Sequence, residues 1–285
     1  MPEALSADLG GRTCLVTGAS SGIGRATARE LARLGARVIL AVRSPEKGEA
    51  TRRDIVEATD NAKVEVMVAD LSSQGRIREL ARAFRERHPA LHALVNSAGV
   101  WRERRRESEE GIELTWATNV LAYFLLGELL LPALSAAGSA RIVNVSSRYA
   151  GRLDLTDVEF KRRPYRGRDA YAQSKQANRM LTWALARRLE GTGVTANAVH
   201  PGFVDTGLFR KAGGLFGWIA TASAKLGALR PEQGADTVAW LAASPEVGGL
   251  SGRFWSDRRE RRCRFRDAES EEALWGKCEA MTSSG

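Results

Sequence analysis

The sequence predicts a single doubly wound α/β domain, a parallel sheet of about seven strands with helices on both faces. Three observations predict it. Short apolar runs alternate with longer helix-like segments along most of the 285 residues, the pattern of parallel strands joined by helical crossovers. Several runs, such as RVILAV, are apolar throughout rather than at every second position, as strands covered on both faces must be. A glycine-rich turn separates the first strand from the first helix.

The elements follow in order. Residues 12–17 (RTCLVT) form a strand that stops at glycine, and residues 23–34 repeat small and apolar side chains at helical spacing. A second strand and helix occupy residues 37–42 and 45–59, and a third pair 63–69 and 72–87, the strand ending at Asp70. Residues 91–96 are the fourth strand, 111–134 a long helix, 141–146 the fifth strand and 170–190 the next helix. Residues 194–199 are the sixth strand, 231–243 a helix and 252–255 a short last strand. Two segments break the alternation. Residues 203–229 are long, apolar and glycine-containing, and their glycines could hinge a lid over an apolar substrate. The tail after Ser256 is highly charged and is expected to be partly disordered or to lie on the surface.

Composition narrows the function classes. A 44% hydrophobic content is ample for a core. No run reaches the ~18 uncharged apolar residues of a membrane span, and residues 1–10 lack a basic region followed by an apolar run, so no secretory leader is expected. Cys14, Cys263 and Cys278 show no metal-ligand spacing, and the three histidines (His88, His92 and His200) are not grouped, so no metal is expected. A reduced, cytoplasmic setting follows. The net charge is +9, but 36 of 43 basic residues are Arg, a skew that usually reflects genome composition. The dense basic runs 102–106 and 258–264 lie beside acidic residues, which favours solvated surface over a specific nucleic-acid partner.

Residues 17–24 read TGASSGIG, between a strand and a helix, where a dinucleotide fingerprint belongs. Gly18, Gly22 and Gly24 permit a tight turn and close approach to a pyrophosphate, and the helix N-terminus offers it free N–H groups. This turn resembles the cofactor turn of the short-chain dehydrogenase/reductase family. NSAG (96–99), Asp70 and HPGFVDT (200–206) match further family elements in order, over about residues 10–256. The resemblance implies a Rossmann-type NAD(P)-binding domain over residues 1–256, with substrate loop 203–229, and a charged extension over 257–285. It implies cofactor contacts by Gly18, Ser20, Ser21, Gly22, Ile23 and Gly24 in the turn, and by Asp70 and Leu71 near the adenine. Asn96, Ala98 and Gly99 would follow the fourth strand, and Pro201, Gly202, Val204 and Thr206 would lie near the nicotinamide. Ser97 and His92 depart from the commoner family residues and read as a small turn residue and a surface-edge histidine.

Tyr171 and Lys175 are four apart in a helix-like segment, hence on one face. A free phenol titrates at about 10; a neighbouring ammonium and an oxidised nicotinamide would both favour phenolate. Within the family resemblance, Tyr171 is the proton donor and Lys175 holds the ribose and tunes it. Ser147, second in a Ser-Ser pair with Ser146 as its competitor, bonds the reacting oxygen, and Asn119 helps hold a water in the proton path. Both Tyr171 and Lys175 also count among the cofactor contacts.

The implied activity is hydride transfer between NADP(H) and a carbonyl or alcohol. The phosphorylated cofactor is expected because the second strand ends in Val42–Arg43 with no acid before Glu46. Arg43 stands 19 residues after Gly24, near the spacing of about 20 for the ribose-reading position. Between Ser147 and Tyr171 lie an insert, LTDVEF, and a basic stretch, KRRPYRGR. With YAQSKQAN and GRFWSD they resemble the retinol-dehydrogenase-like branch, which implies a small lipophilic aldehyde, ketone or alcohol. Carrier-bound ketoacyl reduction and non-catalytic cofactor sensing stand as alternatives. The sequence leaves homo-oligomer formation open.

Overall fold

In the computed structural model, residues 5–204 and 229–283 are described. The sheet has the order β3-β2-β1-β4-β5-β6-β7-β8. Its strands are β1 (Thr13–Thr17), β2 (Arg37–Val42), β3 (Val64–Val68), β4 (Ala93–Asn96), β5 (Ala140–Val145), β6 (Val194–Val199), β7 (Arg253–Ser256) and β8 (Arg259–Glu260). All neighbours pair in parallel except β7 and β8. The order reverses between β1 and β4, so the crevice outside their carboxyl ends is where ligands of such sheets bind.

Successive residues of each strand feed opposite layers. Leu15, Ile39, Leu94 and Ile142 face one core, built with α3 (Gln74–Arg87), α4 (Leu114–Ala136) and α5 (Gly167–Arg188). Cys14, Val16, Val38, Leu40 and Val95 face the other, with α1 (Gly22–Arg33), α2 (Pro45–Thr59) and α6 (Pro231–Ala243). Cys14 is a core thiol, and burial pushes its pKa up to about 12.

Helix α4 is long and apolar enough to cross a membrane by length and composition, although Glu128 interrupts it. Its hydrophobicity is spent inside the fold, where Trp116, Val120, Leu126 and Leu130 are fully buried. Its start is set by Glu113, whose carboxylate accepts the amides of Thr115 and Trp116 at 2.9 and 2.7 Å. This places the N-terminus of α4 three residues later than hydropathy suggests. Residues 117–121 form a π-helical turn within it.

The charged tail departs from the expectation of a disordered or surface segment. β8 adds an eighth, antiparallel strand, and α7 (Ala268–Thr282) packs on α5. Leu274, Trp275 and Cys278 are buried, and Trp275 meets Phe124 edge-on with ring centroids 4.8 Å apart. Arg187 bonds Glu271 and Glu272, and Arg188 bonds Glu272, so two of the tail's glutamates pair with α5. The basic runs are likewise partly paired: Arg105 with Glu107, Arg258 with Asp236, and Arg261 with Asp257.

Trp275→Ala is expected to cost roughly 3–5 kcal/mol, read as a lower midpoint in chemical denaturation. A loss of less than about 1 kcal/mol, within the range of ordinary surface substitutions, would show that α7 is not part of the core.

Candidate active site

The residues that end β1 and β4 are drawn together by one side chain. Thr17 Oγ1 accepts the backbone amides of Ser97 and Ala98 at 2.9 and 3.0 Å. The two loops then touch closely enough that a Cβ on Gly18 would stand 2.8 Å from Ala98 Cα, and Gly18 has φ +65°. A Cβ on Gly24 would meet the Gly18 carbonyl oxygen at 2.5 Å. Ala98 is held from the other side by Tyr123, whose hydroxyl donates to its carbonyl at 2.7 Å. Asn96 is fully buried and donates to Asn144 Oδ1 at 2.9 Å.

The first turn of α1 is open to an anion. Ser21, its N-cap, makes no side-chain capping bond, and no acidic residue stands in the first turn. Ser20 and Ile23 are half-buried and Ser21 is exposed. An uncapped helix start beside a cradle that any Cβ would fill fits a pyrophosphate. Along the same edge, Gly18 donates to Ala41 in β2 at 3.0 Å. Two residues beyond Ala41, Arg43 is exposed and has no ion pair or side-chain hydrogen bond among the described residues. Ser44 is already engaged: it caps α2 through the Lys47 amide and donates to Glu46. Asp70 accepts the amide and hydroxyl of Ser72 at 2.9 and 2.7 Å, with Leu71 buried beside it.

The geometry separates the two serines after β5. Ser146 is buried; its hydroxyl donates to the Lys175 carbonyl at 2.8 Å and accepts from Arg179 Nε at 3.2 Å. The Ser147 hydroxyl instead accepts the Tyr149 amide at 3.1 Å and lies near enough to Tyr171 to pull its phenol's pKa down. Tyr171 and Lys175 project from α5, both buried, with Lys175 Nζ 5.7 Å from the tyrosine ring centroid. Lys175 Nζ donates to the Val145 carbonyl at 2.9 Å. Asn119 lies in the π-helical turn and is gripped by Val100 N, Val100 O and Ser174 Oγ at 2.8–3.1 Å. A Cβ on Gly99 would stand 3.5 Å from Asn119 Oδ1 and 3.8 Å from Lys175 Nζ, so Asn119, Gly99 and Lys175 share one corner of the site.

Burial pushes the Tyr171 phenol up to about 12, with Ser147 pulling the other way. Burial pushes Lys175 down to about 7. Burial is thus the largest cause of both shifts, raising the phenol and lowering the ammonium.

Several contributors escaped sequence reasoning. Thr17, Tyr123, Asn144 and Ser174 position the site through bonds that no spacing reveals. Trp101 lies with its ring centroid 5.2 Å from that of Tyr171. His92, placed by sequence at a surface edge, accepts the Thr13 amide at 3.0 Å. His200, buried and pushed down to about 4 by burial and nearby Arg148 and Arg179, accepts the Arg148 amide at 3.1 Å. A neutral imidazole thus ties the loop carrying Ser147 to the turn of Pro201 and Gly202. Gly202 has φ +86°, and Val204 is buried and bridges to Leu229. Thr206 and the expected lid, apart from its ends, lie outside the described residues.

A family model for short chain dehydrogenases matches residues 12–213. A polyprenol dehydrogenase of Mus musculus is 40% identical, covering 96% of this chain and 85% of its own. Retinol dehydrogenase 13 of Homo sapiens is 39% identical, covering 94% and 84%. A short chain dehydrogenase from Burkholderia cenocepacia J2315, solved in complex with NADP, superimposes with TM-score 0.69 at 31% identity, covering 86% of this chain and 96% of that one.

The buried ammonium makes a pH-dependent stability prediction. With Lys175 at about 7 in the folded chain and about 10.4 unfolded, the unfolded state binds more protons between those values, so stability rises with pH across that window. Lys175→Met is expected to raise Tm most at pH 6–7, with the gain fading toward pH 10. A gain independent of pH would mean that Lys175 keeps an ordinary pKa.

Proposed function

The chain belongs to the short-chain dehydrogenase/reductase family, in its retinol-dehydrogenase-like branch, and we propose that it is an NADP(H)-dependent oxidoreductase of small lipophilic alcohols, aldehydes or ketones. The family acts on alcohol and carbonyl groups; the cofactor preference and the substrate class are the proposal. The observation that carries it is the placing of buried Tyr171 and Lys175, with Lys175 Nζ 5.7 Å from the tyrosine ring, beside Gly99 and Asn119 at the carboxyl edge of the sheet, next to an uncapped helix start.

Bound NADP(H) supplies or accepts the hydride. In the reducing direction Tyr171 gives its proton to the substrate oxygen, and Ser147 donates a hydrogen bond to the same oxygen as charge develops there. A phenol raised to about 12 stays protonated at neutral pH until that charge draws the proton away. Lys175, close to its titration point at about 7, can lend positive charge as the phenolate forms, and Asn119 keeps its corner in register with the Gly99 loop. Gly18, Ser20, Ser21, Gly22, Ile23 and Gly24 would hold the pyrophosphate. Arg43 would take the 2′-phosphate through its planar fork of donors.

The lipophilic substrate is supported by the side chains around the serine loop. Trp101 packs at a tilt against Tyr171, and Tyr149 and Phe203, 41% and 46% exposed, stand on the loops after β5 and β6. The relatives' names, polyprenol and retinol dehydrogenases, point the same way. A cytoplasmic setting is part of this reading.

Two measurements test it. Tyr171→Phe should lower turnover of aliphatic and isoprenoid aldehydes at least about a hundredfold while cofactor binding, followed by fluorescence, persists; near-normal turnover would remove Tyr171 from the reaction. Wild-type kcat/KM should favour NADPH over NADH by about tenfold to a hundredfold, the equivalent of one charge-assisted contact, and Arg43→Ala should collapse that ratio. A ratio near one, or one the substitution leaves in place, would overturn the cofactor assignment.

A further inference from the structure

Arg179 lies one turn beyond Lys175 on α5, and its place in the core is unusual. The side chain is 6% exposed, yet no carboxylate pairs with it among the described residues. A guanidinium keeps its charge at any ordinary pH, and a buried charge without a partner of opposite sign destabilises a fold. Burial duly pushes its pKa down, with neighbouring Arg264 adding to the effect and Cys263 opposing it.

Each of its three nitrogens donates to a neutral atom, and two of the three acceptors belong to the serine pair. Nε donates to Ser146 Oγ at 3.2 Å and Nη2 donates to the Ser147 carbonyl. Nη1 reaches Cys263 Sγ at 3.4 Å. The guanidinium plane is stacked 3.8 Å from the Phe254 ring centroid and lies 5.5 Å from that of Phe265. β7 and the tail after β8 thus hold the back of the fork, and its front closes on the strand end that presents the Ser147 hydroxyl. The rings and the thiol compensate the charge only in part.

We propose that Arg179 is a positioning residue: its fork clamps Ser146 and Ser147 so that the Ser147 hydroxyl meets the reacting oxygen, and its fixed charge makes that end of the site positive. The inference rests on the reading of Ser147 given above. A clamp kept for rigidity and potential differs from one kept for stability, because the charge is a stability cost. Removing it should relieve the fold and harm the site.

The test compares wild type, Arg179→Met and Arg179→Lys, the first of similar volume without charge, the second keeping charge but not the fork. Three readouts are taken: Tm, amide hydrogen exchange over residues 146–150, and steady-state kinetics with NADPH and an aldehyde. Arg179→Met should show a Tm equal to or above wild type, faster exchange in that segment, and kcat lower by about tenfold to a hundredfold, the scale of a misplaced catalytic group. Its KM for NADPH should stay within about twofold, since the cofactor contacts are elsewhere. Arg179→Lys should recover part of the kcat without slowing exchange to the wild-type rate. Unchanged exchange overturns the proposal, as does unchanged kcat in an active enzyme. A Met variant that unfolds or loses several degrees in Tm also overturns it, since Arg179 would then be a structural anchor. Should wild type turn over no alcohol or carbonyl substrate, the functional reading fails, and exchange with Tm still decides the clamp.

Discussion

Thr17 ends the first strand with its hydroxyl turned toward the neighbouring loop, where it takes two backbone amides that would otherwise point into the switch crevice. Buried amides must find acceptors, and this single oxygen serves both. The arrangement sets the spacing between the two loops, and the remainder follows from that spacing. Only glycine fits at position 18, Ala98 is locked under Tyr123, and Gly99 leaves the gap through which Asn119 and Lys175 approach one another. A looser join at this point would separate the cradle from the helix that carries Tyr171.

Much of this was legible in the chain. The strands at residues 37–42 and 194–199 and the helices at 45–59 and 231–243 have the bounds that their sequences suggest, because turn residues or proline flank unbroken periodicity. The glycine turn, NSAG and the Tyr-Lys pair are residues that the fold does gather at one edge of the sheet. Their mutual geometry was not legible. Nothing in the pair Ser146-Ser147 says which hydroxyl turns back to a helix carbonyl and which meets the phenol; that depends on how α5 crosses the strand end.

The tail was misjudged for a different reason. Glu271, Leu274, Trp275, Cys278 and Thr282 form one buried stripe at helical spacing, but arginine and glutamate crowd the segment and mask it. Buried Glu271 is met by the Asp267 amide and by Arg187 in α5, the latter a pairing between residues 84 positions apart. The phenol's titration was also beyond sequence reasoning, since an i,i+4 spacing announces proximity but not the depth of burial that raises one group and lowers the other.

Helix α7 has a consequence for how the molecule comes into being. The last helix of the chain lies against the outer face of α5, the helix whose inner face bears Tyr171 and Lys175. A chain emerging from the ribosome folds from its N-terminus onward, so the glycine turn and the first strands can assemble while that outer face is still bare. Trp275 and Cys278 lie far beyond the end of α5 in the sequence. The helix that carries Tyr171 and Lys175 therefore waits for a distant segment to cover its back, and a chain in which α7 has not docked would hold both side chains against an unfinished wall.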